Sequence, residues 1–210
     1  MTTKNLVLVI LINIGAGLLV ISSFLPGPPN ALVSLFYNGG QILGLLGLIV
    51  IPFGLVWTIK ELRLRKNDKD YQCDLKAIIV LTLPVTMFLT AIYFSGHARD
   101  FSRGFAINRT DLLIQSIERF KEEKGEYPDS LTELTPEFLS KIPSPFIMGI
   151  DEYYYKRQGQ TYTISFYQNV TFNFNYEVVT FDPTDNHIAE GESTTIYNTG
   201  RSHWKYYVYD

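Results

Sequence analysis

The chain has 210 residues, with 18 Lys/Arg against 21 Asp/Glu and a formal charge of −3. That length holds one ordinary domain plus a membrane anchor. Residues 1–97 balance at +3 and residues 98–210 at −6, and the acidic second half argues against nucleic-acid binding, which needs a basic footprint. The one cysteine, Cys73, excludes an intramolecular disulfide and any cysteine-based zinc site in the second half.

Leu6–Leu25 is uncharged over 20 residues. As a helix it rises about 30 Å, the thickness of a bilayer's hydrocarbon core. A cleaved signal peptide with Lys4 as its basic region is the competing reading. The run is long for that, and Ile21-Ser22-Ser23-Phe24 lacks a small-x-small cleavage site. Ala31–Ile59 is also uncharged, but 29 residues exceed an upright span. Asn38-Gly39-Gly40 reads as a break, so the second span is expected over about residues 40–59, with Ala31–Tyr37 interfacial or a tilted extension. Pro52 predicts a kink in it. Gly40, Gly44 and Gly47 allow close helix approach, either in a dimer or, as preferred, against the chain's own spans.

Ala77–Ser95 is the third span and contains Pro84. Thr82, Thr86 and Thr90 recur every four residues on one face, where their hydroxyls can bond back along the helix or across to another. No Asp, Glu, Lys, Arg or His falls inside any of the three runs, which argues against an ion pump or proton relay. Residues 60–76 carry Lys60, Arg63, Arg65, Lys66, Lys69 and Lys76, while Pro26–Asn30 carries no charge. The positive-inside rule places the basic loop and the N-terminus in the cytoplasm. The remainder, residues 98–210, is then extracytoplasmic, although Arg99, Arg103 and Arg109 follow the third span.

Phe101 and Phe105 are one turn apart and can continue the third helix outward. Thr110 is an expected N-cap for an amphipathic helix over Asp111–Lys124, with Leu113, Ile117 and Phe120 on one face and Gly125 and Pro128 as its stop. Ser130-Leu131-Thr132-Glu133 matches a capping box, and Thr135-Pro136 is expected to open a further helical turn. Beyond Gly149 the period becomes alternating. Tyr153 and Tyr155 begin a strand, and Gly159-Gln160 is a turn. Tyr162, Ile164 and Phe166 share a face opposite Thr161, Thr163 and Ser165. Gln168-Asn169 is expected as a turn. Phe172, Phe174, Tyr176 and Val178 then form an apolar face opposite Glu177, and Trp204, Tyr206 and Val208 mark a fourth strand after a polar segment. The expected fold class is an all-α anchor of three transmembrane helices plus an α+β domain, one amphipathic helix on a small antiparallel sheet.

Gly125-Glu126-Tyr127-Pro128-Asp129-Ser130-Leu131-Thr132-Glu133-Leu134, followed by Ile142-Pro143-Ser144-Pro145-Phe146 and tyrosine-rich strands, resembles the globular part of type II secretion major pseudopilins. The resemblance covers residues 105–167. It implies a packing helix running out of a membrane span onto a small sheet. Pseudopilins have one span; this chain has three. Ser144-Pro145-Phe146 stands where the family has D-P-W-G. Because that family binds calcium through a late acidic loop, the resemblance makes Asp182 and Asp185 candidate metal ligands, against the plainer reading of a solvated turn.

No HExxH, GxSxG or P-loop is present. His187 with Asp182 and Asp185 is a conceivable catalytic grouping, though no catalytic residue is assigned. Tyr154 and Tyr207 each fall on the wrong side of their strands for the core and are candidate ligand-binding residues. Asn108-Arg109-Thr110 and Asn169-Val170-Thr171 are sequons, which matter only in a eukaryotic host. The leading expectation is a non-enzymatic, multi-pass protein of a bacterial cytoplasmic membrane, without cofactor, whose outer domain contacts envelope proteins. The alternative is a module binding glycans or peptides through exposed aromatics; a membrane-anchored hydrolase is third. A contiguous exposed tyrosine patch would favour the module, and a polar cleft holding His187 with a carboxylate the hydrolase.

Overall fold

The computed structural model describes residues 3–68, 70–170, 175–188 and 195–209. The chain forms two units, Met1–Ser22 with Ala31–His97, and Ser23–Asn30 with Ala98–Asp210.

The first unit is helical: α1 (Thr3–Val20), α2 (Ala31–Gly47), α3 (Ile51–Asn67) and α4 (Leu75–Leu89), followed by a π-helical turn at Thr90–Phe94 and the start of α5 (Ser95–Asn108). Two helices, Thr3–Val20 and the continuous Leu75–Lys124, are long and apolar enough to cross a membrane. The pair Ala31–Gly47 and Ile51–Asn67, bent by 66°, makes a third if it counts as one span. The expected break at Asn38-Gly39-Gly40 is not there, because α2 runs through those residues. The chain breaks at residues 48–50 instead. The cause is Pro52, which lies in the first turn of α3. A proline bars the helical bond to the carbonyl four residues back, here Leu48, but costs nothing at a helix start. Pro52 thus begins a helix rather than kinking one.

Gly40, Gly44 and Gly47 of α2 serve close packing within the unit. A Cβ on Gly44 would lie 3.2 Å from the Met87 Cβ, and one on Gly47 would lie 2.5 Å from the Pro84 ring. The threonine face of α4 meets α1. Asn13 Nδ2 donates to Thr82 Oγ1 at 3.1 Å, and Thr86 Oγ1 donates to Asn13 Oδ1 at 2.8 Å. In an apolar setting these bonds satisfy an amide that would otherwise be costly. The basic segment 60–76 is mostly helix rather than loop, since α3 continues to Asn67. Glu61 on α3 is buried, and its carboxylate accepts the Asp74 N–H at 2.8 Å and the Tyr71 hydroxyl at 3.0 Å.

In the second unit α5 leads into α6 (Asp111–Lys124), which ends on Gly125 in the left-handed conformation with φ 86°. Thr110 occupies the N-cap position, but its hydroxyl bonds back to the Ile107 carbonyl at 2.7 Å instead of capping α6. Ser130 likewise precedes a single 3-10 turn, Leu131–Leu134, without a side-chain cap. Residues 135–138 form turns, not the further helix that Thr135-Pro136 suggested.

Among the described residues the sheet has five strands, not the four expected: β1 (Tyr154–Gln158), β2 (Thr161–Asn169), β3 (Tyr176–Phe181), β4 (Ile196–Asn198) and β5 (Trp204–Tyr209). It is antiparallel in the order β1-β2-β3-β5-β4. The strand missed in the sequence is β4, three residues within the polar segment. Gln168-Asn169 is no turn; both belong to β2. Phe172 and Phe174 lie outside the described residues.

The inner sheet face packs on α5 and α6. Leu113, Ile117, Tyr162, Ile164, Phe166 and Val179 are fully buried, with Phe181 and Trp204 nearly so. Each such side chain contributes roughly 1.5–3 kcal/mol before its entropy cost. The expected face of β3 is inverted. Val179 and Phe181 point inward, and Glu177 goes with them, fully buried. The reason is a guanidinium partner: Arg103 on α5 donates to Glu177 through Nε at 2.6 Å and Nη2 at 2.8 Å. Gln168 Nε2 adds a bond at 2.7 Å, and the Arg103 guanidinium also lies 3.7 Å over the Tyr206 ring. A buried carboxylate is tolerated only with such pairing.

Ser23–Asn30, the connector after α1, is built into this unit. Gly149 N donates to Ser23 O at 2.9 Å, Met148 N to Leu25 O at 3.0 Å and Gly27 N to Phe146 O at 3.0 Å, with a bridge between Pro26 and Ile147. Gly149 has no room for a side chain: a Cβ there would lie 1.8 Å from Ser23 Oγ.

Candidate functional site

Because β-strand side chains alternate, the residues opposite the core share one outer face. From β2 come Thr163, Ser165 and Tyr167; from β3, Tyr176, Val178 and Thr180; from β5, Tyr207 and Tyr209. Two features lie on this face.

The first is a row of tyrosines across four strands. Tyr154 meets Tyr167 edge-on at 5.2 Å between ring centroids, and Tyr167 meets Tyr176 at 6.1 Å. Tyr176 stacks on Tyr209 at 5.3 Å with planes 8° apart, and Tyr209 meets Tyr207 at 6.2 Å. Tyr154, Tyr167 and Tyr176 are 44%, 44% and 47% exposed, whereas Tyr207 is buried. The two tyrosines singled out in the sequence are therefore the ends of one row. Of the three between them, Tyr167 and Tyr209 alternate with expected core residues in the same way, whereas Tyr176 falls on the face expected to be apolar.

The second is a groove of about 370 Å³. Among the described residues it is lined by Gln158, Thr163, Ser165, Tyr167, Val178, Thr180, Asp182, Asn186, His187, Ile188, Tyr207 and Tyr209. The lining is mostly uncharged and polar, with tyrosine at one side. Such surfaces offer hydroxyl and amide partners together with aromatic faces.

Asp182, Asp185 and His187 lie on the segment that follows β3. Asp182 Oδ1 accepts the Thr184 N–H at 2.8 Å and its hydroxyl at 2.7 Å, so this carboxylate holds a turn. Asp185 adopts φ 56° and faces His203 Nδ1 at 3.2 Å and His187 Nε2 at 3.7 Å. His187 Nδ1 lies 3.3 Å from the Tyr207 hydroxyl. Burial lowers the His187 pKa from its ordinary 6.5, against the opposing pull of Asp182 and Asp185. Burial likewise raises that of Tyr207. Burial thus favours the neutral form of His187, which lines the groove. Among the described residues no three His, Cys, Asp or Glu side chains are grouped to hold a metal ion.

Other tyrosines serve the core. The hydroxyl of Tyr153 donates to Ala106 O at 2.7 Å, that of Tyr155 to Pro128 O at 2.7 Å and that of Tyr162 to Glu118 at 2.8 Å. Burial raises the pKa of all three. They are satisfied polar tips on buried rings.

Comparison with protein-family models, with curated proteins and with solved structures finds no match for this chain.

Proposed function

We propose that this chain is a three-span, non-enzymatic protein of a bacterial cytoplasmic membrane whose outer domain binds a neutral glycan in the groove on its outer sheet face. The observation that carries the ligand-binding reading is the groove itself: uncharged hydroxyl and amide groups beside tyrosine rings. Sugars are bound by this combination, hydrogen bonds to hydroxyls with an aromatic face against the ring's C–H bonds. Asp182, the one carboxylate among the described lining residues, is engaged with Thr184. The tyrosines in the groove lining favour this reading over a domain that only contacts envelope proteins. The pseudopilin-like reading is supported by the order helix, Gly-Glu-Tyr-Pro turn, antiparallel sheet.

Three spans are supported by the connector. Ser23–Asn30 follows α1 and hydrogen-bonds to residues 146–149 of the C-terminal domain, so both lie on one side of the membrane. If α2 and α3 returned to the side they started from, α4 would carry the domain to the other side, and these bonds could not form. One net crossing by the bent pair, then α4, satisfies them. The basic residues of segment 60–76 favour a cytoplasmic side for that segment and the N-terminus, with the domain outside.

The test is titration of the full-length chain in lipid nanodiscs with chitotetraose, maltotetraose and cellotetraose, followed by calorimetry. Saturable binding of one of them, lost in Tyr207→Ala and weakened in Thr180→Val, supports the reading. No binding by any of the three, together with a specific envelope protein captured by cross-linking in membranes, returns the domain to the protein-contact reading.

A further inference from the structure

The tyrosine row and the groove overlap, but they occupy different levels of the sheet. Tyr167 lies two residues before the end of β2, Tyr176 opens β3 and Tyr209 closes β5. All three belong to one end of the sheet. On the three-span reading proposed above, that end is tied to two chain points that directly follow membrane-crossing segments. Asn169 Nδ2 donates to Ser23 Oγ at 2.9 Å, and Ser23 is three residues past the last residue of α1. Gln168 Nε2 reaches the Arg99 carbonyl at 3.4 Å, and Ser102 Oγ donates to Gln168 Oε1 at 2.9 Å. Arg99 is five residues past the π-helical turn.

Three residues of chain reach at most about 11 Å. The row is therefore leashed to the level at which the chain leaves lipid. The other end of the sheet, the Gly159-Gln160 turn, is eight strand positions away along β2, roughly 27 Å at strand rise. A band of half-exposed tyrosines at this one level has a known physical partner. The tyrosine ring is apolar and its hydroxyl polar, so it partitions into the headgroup zone, where one end is greasy and the other wet. Asp151 and Glu152 adjoin Tyr154, which disfavours attraction to anionic headgroups.

We infer that the row Tyr154–Tyr167–Tyr176–Tyr209 is a membrane-facing edge of the domain, which rests in the headgroup region of zwitterionic lipid. It holds the sheet's end at the bilayer surface, and Tyr167 and Tyr209, which also line the groove, set the groove's lower rim at that level.

The test uses the full-length chain with Trp57→Phe, which leaves the buried Trp204 as background. One tryptophan is added, either Tyr176→Trp within the row or Gln160→Trp at the far turn. Each variant is reconstituted into phosphatidylcholine vesicles containing phosphatidylcholine brominated high on its acyl chains, and tryptophan quenching is read. Tyr176→Trp should be quenched several-fold more strongly than Gln160→Trp, and equally so when part of the lipid is replaced by phosphatidylglycerol. Tyr167→Trp should repeat the result and covers the case in which Tyr176→Trp does not fold. Equal quenching at the row and at the turn, or quenching of Tyr167→Trp no greater than of Gln160→Trp, overturns the inference.

Discussion

Removing Glu177 should unfold the second unit well below its normal melting temperature. The Glu177 side chain is fully buried and that of Arg103 is 8% exposed, so water does not screen the pair. Glu177→Ala removes both Glu177 bonds from the Arg103 guanidinium and leaves it the largely exposed Asp100 carboxylate at 3.0 Å. It also strips partners from Gln168 and from Arg99, whose Nε lies 3.3 Å from the carboxylate. Stranding a buried charge in this way costs about 3–5 kcal/mol. For a domain of this size that is a Tm lowered by roughly 12–20 °C, at about 4 °C per kcal/mol. Trp204 is 4% exposed in the core and reports the transition in a Trp57→Phe background, with full-length protein in detergent. The second variant is Arg103→Met/Glu177→Leu. It removes both charges and keeps the volume, so it should recover most of the loss, because an apolar pair of similar size often replaces a buried ion pair at little cost. A Glu177→Ala loss under about 1 kcal/mol, or a double variant as unstable as the two single losses added, would refute the claim that charge burial governs this site.

Other outcomes follow from the same geometry. Gly149→Val should cost at least about 1–3 kcal/mol, since the added atoms meet the Ser23 carbonyl as well as its hydroxyl; thermal unfolding measures it. Asn13→Leu removes the bonds to Thr82 and Thr86 and should lower resistance to SDS unfolding by about 0.6–2 kcal/mol. The pH dependence rests on His187, whose folded pKa lies below its unfolded 6.5. Between those two values the unfolded chain binds more protons, so this contribution to stability is complete above pH 6.5 and declines as the pH falls below it. The groups around it, Asp182, Asp185, Lys205 and Tyr207, are those whose contacts should loosen. Thermal melts in mild acid should show a steeper loss for the native chain than for His187→Gln.

Much of the fold could be read from residue periods. The amphipathic stripe Leu113-Ile117-Phe120 with Gly125 behind it defines α6 because a helix both starts and stops on local chemistry. Tyr162, Ile164 and Phe166 identify the inner face of β2 for the same kind of reason. What could not be read depended on partners distant in sequence. Glu177 looks like a solvent residue until Arg103, 74 positions away, is brought beside it. Asn38-Gly39-Gly40 reads as a break because glycine signals both turns and close packing; here Gly40 lies inside α2 and approaches Val20 of α1. The tyrosine row was half legible. Tyr154 and Tyr207 stood out because they contradict their strands' core faces, whereas Tyr176 was assigned to the core, and only strand register joins it to Tyr209. β4 is three exposed residues with no apolar alternation, so no period marks it.

The central claim is that the connector after α1 and the C-terminal domain share one side of a membrane, opposite the basic segment. Single cysteines at Pro29, Arg65 and Tyr197, each in a Cys73→Ser background, can be treated in intact spheroplasts with a membrane-impermeant maleimide. The account predicts labelling at positions 29 and 197 and protection at 65 until the membrane is opened. Labelling of 29 and 197 from opposite sides, or of all three from outside, would contradict it.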